Sequence, residues 1–137
     1  MDLVSLPCGV VPHKLRRQIG WLDRHPDYAL CYHRVVNFYP DTGTKSLSNG
    51  GRFGKRDVTL LDLAAHCSVT NVSSVWRRGL FGPLPEWFDR VPTYDYALHL
   101  LNLEHGKGHF MRRPMAVYRQ HGGAIWSTAG EEKSTQI

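Results

Sequence analysis

Cysteine is scarce in this 137-residue chain: Cys8, Cys31 and Cys67 are widely spaced and odd in number. Such usage argues against a disulfide framework and a CxxC metal or redox motif, and it is what a reducing, cytoplasmic compartment produces. No apolar run approaches the roughly 20 residues that a membrane-spanning helix needs. The short apolar stretch at the N-terminus has no basic segment ahead of it, so no secretory signal is expected. Acidic residues are outnumbered, with 12 Asp and Glu against 17 Lys and Arg, giving a formal net charge of +5. That balance alone would suit a nucleic-acid binder. Aromatic residues do not alternate with the basic ones as a base-stacking platform requires, however, and no helix-turn-helix pattern is present, so nucleic acid is not an expected partner. No internal repeat is visible.

What the chain does contain suffices for one modest core: 42% of its residues are hydrophobic and 11% aromatic. The pattern predicts a helix opening at Pro12, with Leu15, Ile19 and Leu22 on its apolar face, that His25-Pro26 stops. Tyr28 to Phe38 reads as a strand, and residues 40 to 56 as a polar loop. Thr59 and Asp62 have the spacing of a capping box opening a short helix to Cys67. Thr70 to Arg77 reads as a strand, and Glu86-Trp87-Phe88 as a helical turn. A helix capped by Thr93 carries Ala97, Leu98 and Leu101, with Tyr94 at its start, and ends at Gly106. Two short strands, His109 to Arg112 and Met115 to Arg119, flank Pro114. Strands alternating with helices predict an α/β fold. Residues 1–128 are expected to form one partial domain, followed by a polar, frayed tail over residues 129–137.

The candidate chemistry is concentrated late in the chain. Asp95 falls in the first turn of the Thr93 helix, and the run Tyr118-Arg119-Gln120-His121-Gly122-Gly123 leads into a glycine turn. By local context Asp95 is either a helix-start anion or an ionised carboxylate aimed at a substrate, because helix N-terminal amides favour an anion for both purposes. The arginine pairs Arg16-Arg17, Arg77-Arg78 and Arg112-Arg113 lie on three separate elements. They read as solvated surface or as attraction for a diphosphate, a lipid phosphate or an anionic leaflet.

Taken in order, His13-Lys14-Leu15-Arg16-Arg17-Gln18, Pro26-Asp27-Tyr28 with Cys31 and His33, Asn71 to Arg78, Pro85-Glu86-Trp87-Phe88, Asp95 and Tyr118-Arg119-Gln120-His121 resemble the acceptor half of a family 2 glycosyltransferase. The resemblance covers residues 12 to 127. It implies a partial GT-A-like mixed sheet with flanking helices, without the N-terminal nucleotide-binding half of roughly a hundred residues and without the Asp-x-Asp-like motif that precedes the Lys-Leu-x-x-Gln segment in that family. It implies inverting transfer of a sugar from a nucleotide-sugar donor to an acceptor glycan or lipid. Asp95 would be the catalytic base, Arg77, Arg78, Arg119 and Trp126 substrate contacts, and His121 a ligand of a divalent ion, Mn²⁺ or Mg²⁺. Tyr94 departs from the small residue usual before the acid and would narrow the acceptor pocket.

Taken as a half, the chain is expected to be inactive alone, to need a separate donor-binding chain, and to self-associate through uncovered edges. A cytoplasmic location, peripheral to the inner membrane face, goes with that reading. The alternatives are a non-catalytic remnant serving protein interaction and, ranked lower, a basic nucleic-acid-binding module.

Overall fold

The computed structural model describes residues 9–48 and 56–121. Within them the elements are β1 (Gly9–Val10), α1 (Lys14–Arg24), β2 (Tyr28–Tyr39), β3 (Thr44–Leu47), β4 (Asp57–Val58), α2 (Leu60–Ala65), β5 (Val75–Trp76), α3 (Tyr94–Leu103) and β6 (Lys107–Arg119). Short 3-10 turns at Asn71–Ser73 and Glu86–Arg90 complete them. The architecture is a mixed α/β fold with an open sheet flanked by helices. Two long strands, β2 and β6, run parallel through its centre. The outer edge of β2 carries β5 at one end and β3 at the other, both antiparallel, and that of β6 carries β4 and β1 in the same way.

Parallel strands cannot be joined by a tight turn, so everything between β2 and β6 serves as their connection. Successive strand residues face opposite sides of the sheet, and here the two sides differ chemically. One side is apolar: Leu30, Tyr32 and Phe110 pack with Val58, Leu63, Val69 and Leu103 beneath α2 and α3. The Tyr96 hydroxyl donates to the Leu63 carbonyl at 3.1 Å and ties α3 to α2. A second cluster, Phe88, Ala97 and Leu101, joins α3 to the Glu86–Arg90 turn.

The other side lies under α1 and is largely polar. Gln18 is fully buried, and its Nε2 donates to the Ser73 carbonyl at 2.7 Å and to the Cys31 carbonyl at 3.4 Å. Lys14 and His33 are buried beside it. Helix α1 thus presents Lys14, Gln18 and Leu22 to the sheet, whereas Leu15 and Ile19 are 56% and 49% exposed. The expected apolar face was displaced by one residue because buried carbonyls need a donor that neither aliphatic side chain can supply. Trp21 closes the seam, stacked between the His25 and His109 rings at 3.9 Å each.

Several expectations hold. The Thr59 capping box forms in full: the Thr59 hydroxyl accepts from the Asp62 amide, and the Asp62 carboxylate accepts from the Thr59 amide. Others change. The strand expected over Thr70 to Arg77 is a 3-10 turn followed by the two-residue β5, and the loop expected from residue 40 contains β3. Thr93 precedes α3 without making a side-chain cap bond. The two strands expected around Pro114 are one strand with a bulge: between the pairs His33–Met111 and Val35–Ala116, β2 advances two residues and β6 five. Proline lacks the N–H that a regular ladder would use there. The polar tail lies outside the described residues, as do Cys8 and Trp126.

Gly106 follows α3, yet its backbone is not left-handed. Its need is for space: a Cβ there would lie 2.8 Å from the Asp27 carbonyl oxygen and 3.0 Å from the Ala29 nitrogen, where β6 first meets β2. Gly20, inside α1, has only Arg24 Nη1 at 3.6 Å in its way. The two glycines should therefore respond with opposite sign. Gly106→Ala should destabilise the fold by about 1–3 kcal/mol through overpacking, whereas Gly20→Ala should stabilise it by about 0.5–1 kcal/mol through helix propensity. Urea denaturation of both variants measures this, and a neutral Gly106→Ala would show that the β2–β6 approach is looser than described.

Candidate functional site

The first turn of α3 places Asp95 at the mouth of a cleft of about 340 Å³, lined also by Cys67, Val69, Thr70, Asn71, Val72, Tyr118 and Gln120. Three elements build it: the start of α3, the segment between α2 and β5, and the end of β6. The Asp95 Oδ1 accepts from the Tyr96 amide at 2.9 Å, which fixes the carboxylate, and its other oxygen has no partner among the described residues. One turn further along α3, His99 is buried with no hydrogen-bond partner on either ring nitrogen. Burial holds its pKa below the usual imidazole value, and the Asp95 charge pulls it back up. The Cys67 thiol at the rim is shifted upward, first by burial and then by the same carboxylate. A fixed anion beside hydroxyl, amide and phenol groups can accept a proton from a bound hydroxyl and orient its neighbours by hydrogen bonds.

The other candidate residues are dispersed. Arg77 is a structural residue: its Nε donates to the Tyr28 carbonyl at 2.7 Å, and its Nη2 donates to the carbonyls of Leu22 and, at 3.0 Å, His25. The Leu22 and His25 carbonyls belong to the end of α1 and the turn after it, where a cation also complements the helix dipole, and the Tyr28 carbonyl opens β2. Arg78, by contrast, is exposed. Arg119 is exposed as well, and strand alternation sets it on the side opposite Tyr118 and Gln120, the β6 residues that do line the cleft. Gln120 is held by its amide, which donates to the Phe38 carbonyl at 2.7 Å. Asn71, Tyr118 and Gln120 belong to motifs noted in the sequence but, like Thr70, were given no site role there; strand alternation from Gln120 would have indicated Tyr118.

His121 is exposed just past β6. Among the described residues no group of three His, Cys, Asp or Glu side chains converges to hold a metal ion. His105 and His109, four apart in sequence, lie on a turn and a strand and do not change this. The described residues therefore do not by themselves fit a divalent ion. Nor is any described helix long and apolar enough to cross a membrane.

Comparison with known proteins adds a partial similarity to uncharacterized proteins. No family model matches the chain. It is 33% identical over 121 residues to uncharacterized proteins of Mycobacterium bovis and Mycobacterium tuberculosis, an alignment covering 86% of this chain and 33% of each relative. The chain thus spans about a third of the length of the curated relatives it matches.

The buried histidines of the two faces give the fold a defined acid response. His33, beneath α1, is lowered to about 4 by burial, against the pull of its bond to the Arg34 carbonyl, and Lys14 lowers it further. A depressed imidazole pKa means that the unfolded chain binds the proton first as pH falls, so the stabilisation is full above about 6.5 and is lost on the way down to about 4. His33 alone should cost roughly 3 kcal/mol across that window, and His99 acts in the same direction. Urea midpoints measured from pH 7 to pH 4 should fall, and His33→Asn, whose amide can still donate to the Arg34 carbonyl, should flatten the slope. A slope unchanged by that substitution would place the acid sensitivity elsewhere.

Proposed function

We propose that this chain is the acceptor-binding part of an inverting glycosyltransferase of the family 2, GT-A-like type, with Asp95 as the catalytic base. The observation that carries the proposal is the Asp95 carboxylate, with one oxygen held by a backbone amide and the other open to a cleft of about 340 Å³ lined by Thr70, Asn71, Tyr118 and Gln120. Hydroxyl, amide and phenol groups of this kind suit the several hydroxyls of a sugar. The order of the motifs along the chain, ending in Tyr118-Arg119-Gln120-His121, supports the same assignment.

In the reaction the acceptor hydroxyl gives its proton to the Asp95 carboxylate as its oxygen forms the new bond to the anomeric carbon of the donor. The bond from that carbon to the nucleotide diphosphate breaks, and the diphosphate leaves with the electron pair. Thr70, Asn71, Tyr118 and Gln120 hold the acceptor so that the attacking oxygen meets both partners in line, which is where positioning contributes to rate. Arg78, exposed, remains for the donor phosphates, whereas Arg119 projects from the side of β6 away from the cleft. A donor-binding half would come from a further segment or a separate chain.

The test joins this segment to a nucleotide-sugar-binding half and compares Asp95→Asn with the parent. Asparagine keeps an oxygen for the Tyr96 amide, so stability should change by at most about 1 kcal/mol, the scale of a helix-end term. Transfer should fall at least ~10²-fold, the lower range for losing a general base. Intact turnover together with a lowered melting temperature would make Asp95 a structural residue of α3 and refute the assignment.

A further inference from the structure

On the face of the sheet opposite Asp95, α1 and the β6 bulge enclose an open depression of about 450 Å³. Arg16, Arg17 and Arg24 border it from the helix, and Arg112 and Arg113 from the bulge. All five are exposed, no carboxylate lines the depression, and none of the five side chains makes an ion pair or hydrogen bond among the described residues. The bulge is what brings the two sets together: the additional residues around Pro114 lift Arg112 and Arg113 out of the ladder toward α1. Trp21, Met111 and Met115 give the depression an apolar floor. Leu15 and Ile19, half exposed, project from the opposite flank of α1 and do not line the depression.

We propose that this face docks on an acidic phospholipid membrane, with the five arginines taking headgroup phosphates. Guanidinium groups match phosphate oxygens in fork geometry. An open surface carrying five of them and no carboxylate suits the negative potential of an anionic leaflet. Other polyanions fit less well. A single-stranded nucleic acid needs open aromatic faces, and both faces of Trp21 are occupied by His25 and His109. A small soluble diphosphate would use two or three of the guanidiniums and leave the others unexplained. Because the Asp95 cleft opens on the other face, this surface stands or falls independently of the sugar-transfer reading.

The test is co-sedimentation of the full chain with phosphatidylcholine vesicles, with and without phosphatidylglycerol. Binding should require phosphatidylglycerol and weaken as salt rises. Arg112→Gln with Arg113→Gln should lower the partition coefficient about 25-fold, at about fivefold for each arginine lost near an anionic surface. Leu15→Ser with Ile19→Ser, on the opposite flank of α1, should leave the partition coefficient unchanged. All four side chains are exposed, so an unaltered melting temperature confirms that the variants fold. Equal binding to neutral vesicles, no binding to acidic ones, or arginine-dependent retention of polyuridylate or inorganic pyrophosphate in place of vesicles overturns the proposal.

Discussion

The parallel pairing of β2 with β6 is the constraint on which the rest of the structure depends. Two parallel strands leave a long stretch of chain to travel from the end of one to the start of the next. That stretch supplies α2, the 3-10 turn at Asn71–Ser73 and α3, which together place Asp95 over the end of β6. The same pairing explains Gly106, the point at which the returning chain comes within a Cβ's distance of the Asp27 and Ala29 backbone. A side chain there would push apart the two strands that position both clefts.

The two faces of the sheet solve different problems. Under α2 and α3 the packing is apolar, and Leu30, Tyr32, Leu63 and Phe110 supply the burial that stabilises the domain. Under α1 the contacts are polar, and the Gln18 amide satisfies carbonyls of β2 and of the Asn71–Ser73 turn at once. A buried carbonyl deprived of its donor costs about 1–3 kcal/mol, so Gln18 fixes how the helix sits as well as where. Arg77 performs the corresponding task at the far end of α1. With the helix locked by Gln18 and Arg77, its arginines are set at a fixed distance from those of the β6 bulge.

Local signals were legible in the sequence, and long-range ones were not. The capping box at Thr59, the long strand from Tyr28 and the placement of Asp95 in a helix's first turn all depend on neighbours within a few residues, and they appear where the sequence puts them. The orientation of α1 did not, because Leu15, Ile19 and Leu22 form a plausible apolar stripe until the carbonyls of Cys31 and Ser73 are known to lie beneath. Arg77 likewise looks like a ligand contact until three main-chain oxygens from a distant turn are found around it. Within the candidate site the carboxylate was readable, but its polar companions were not: Arg119 and His121 attract notice as charged or metal-binding types, whereas strand parity gives the cleft to Tyr118 and Gln120.

In the proposed sugar transfer the Asp95 cleft receives an acceptor sugar and not the donor nucleotide. Amide chemical shifts of the isotope-labelled chain, followed while simple glycosides and nucleotide sugars are added in turn, test it most directly. Glycosides should move the amides of residues 69 to 72, Asp95, Tyr96 and residues 118 to 120, and nucleotide sugars should leave that set in place. Shifts of that set caused by nucleotide sugars, or none with any glycoside, would contradict the account.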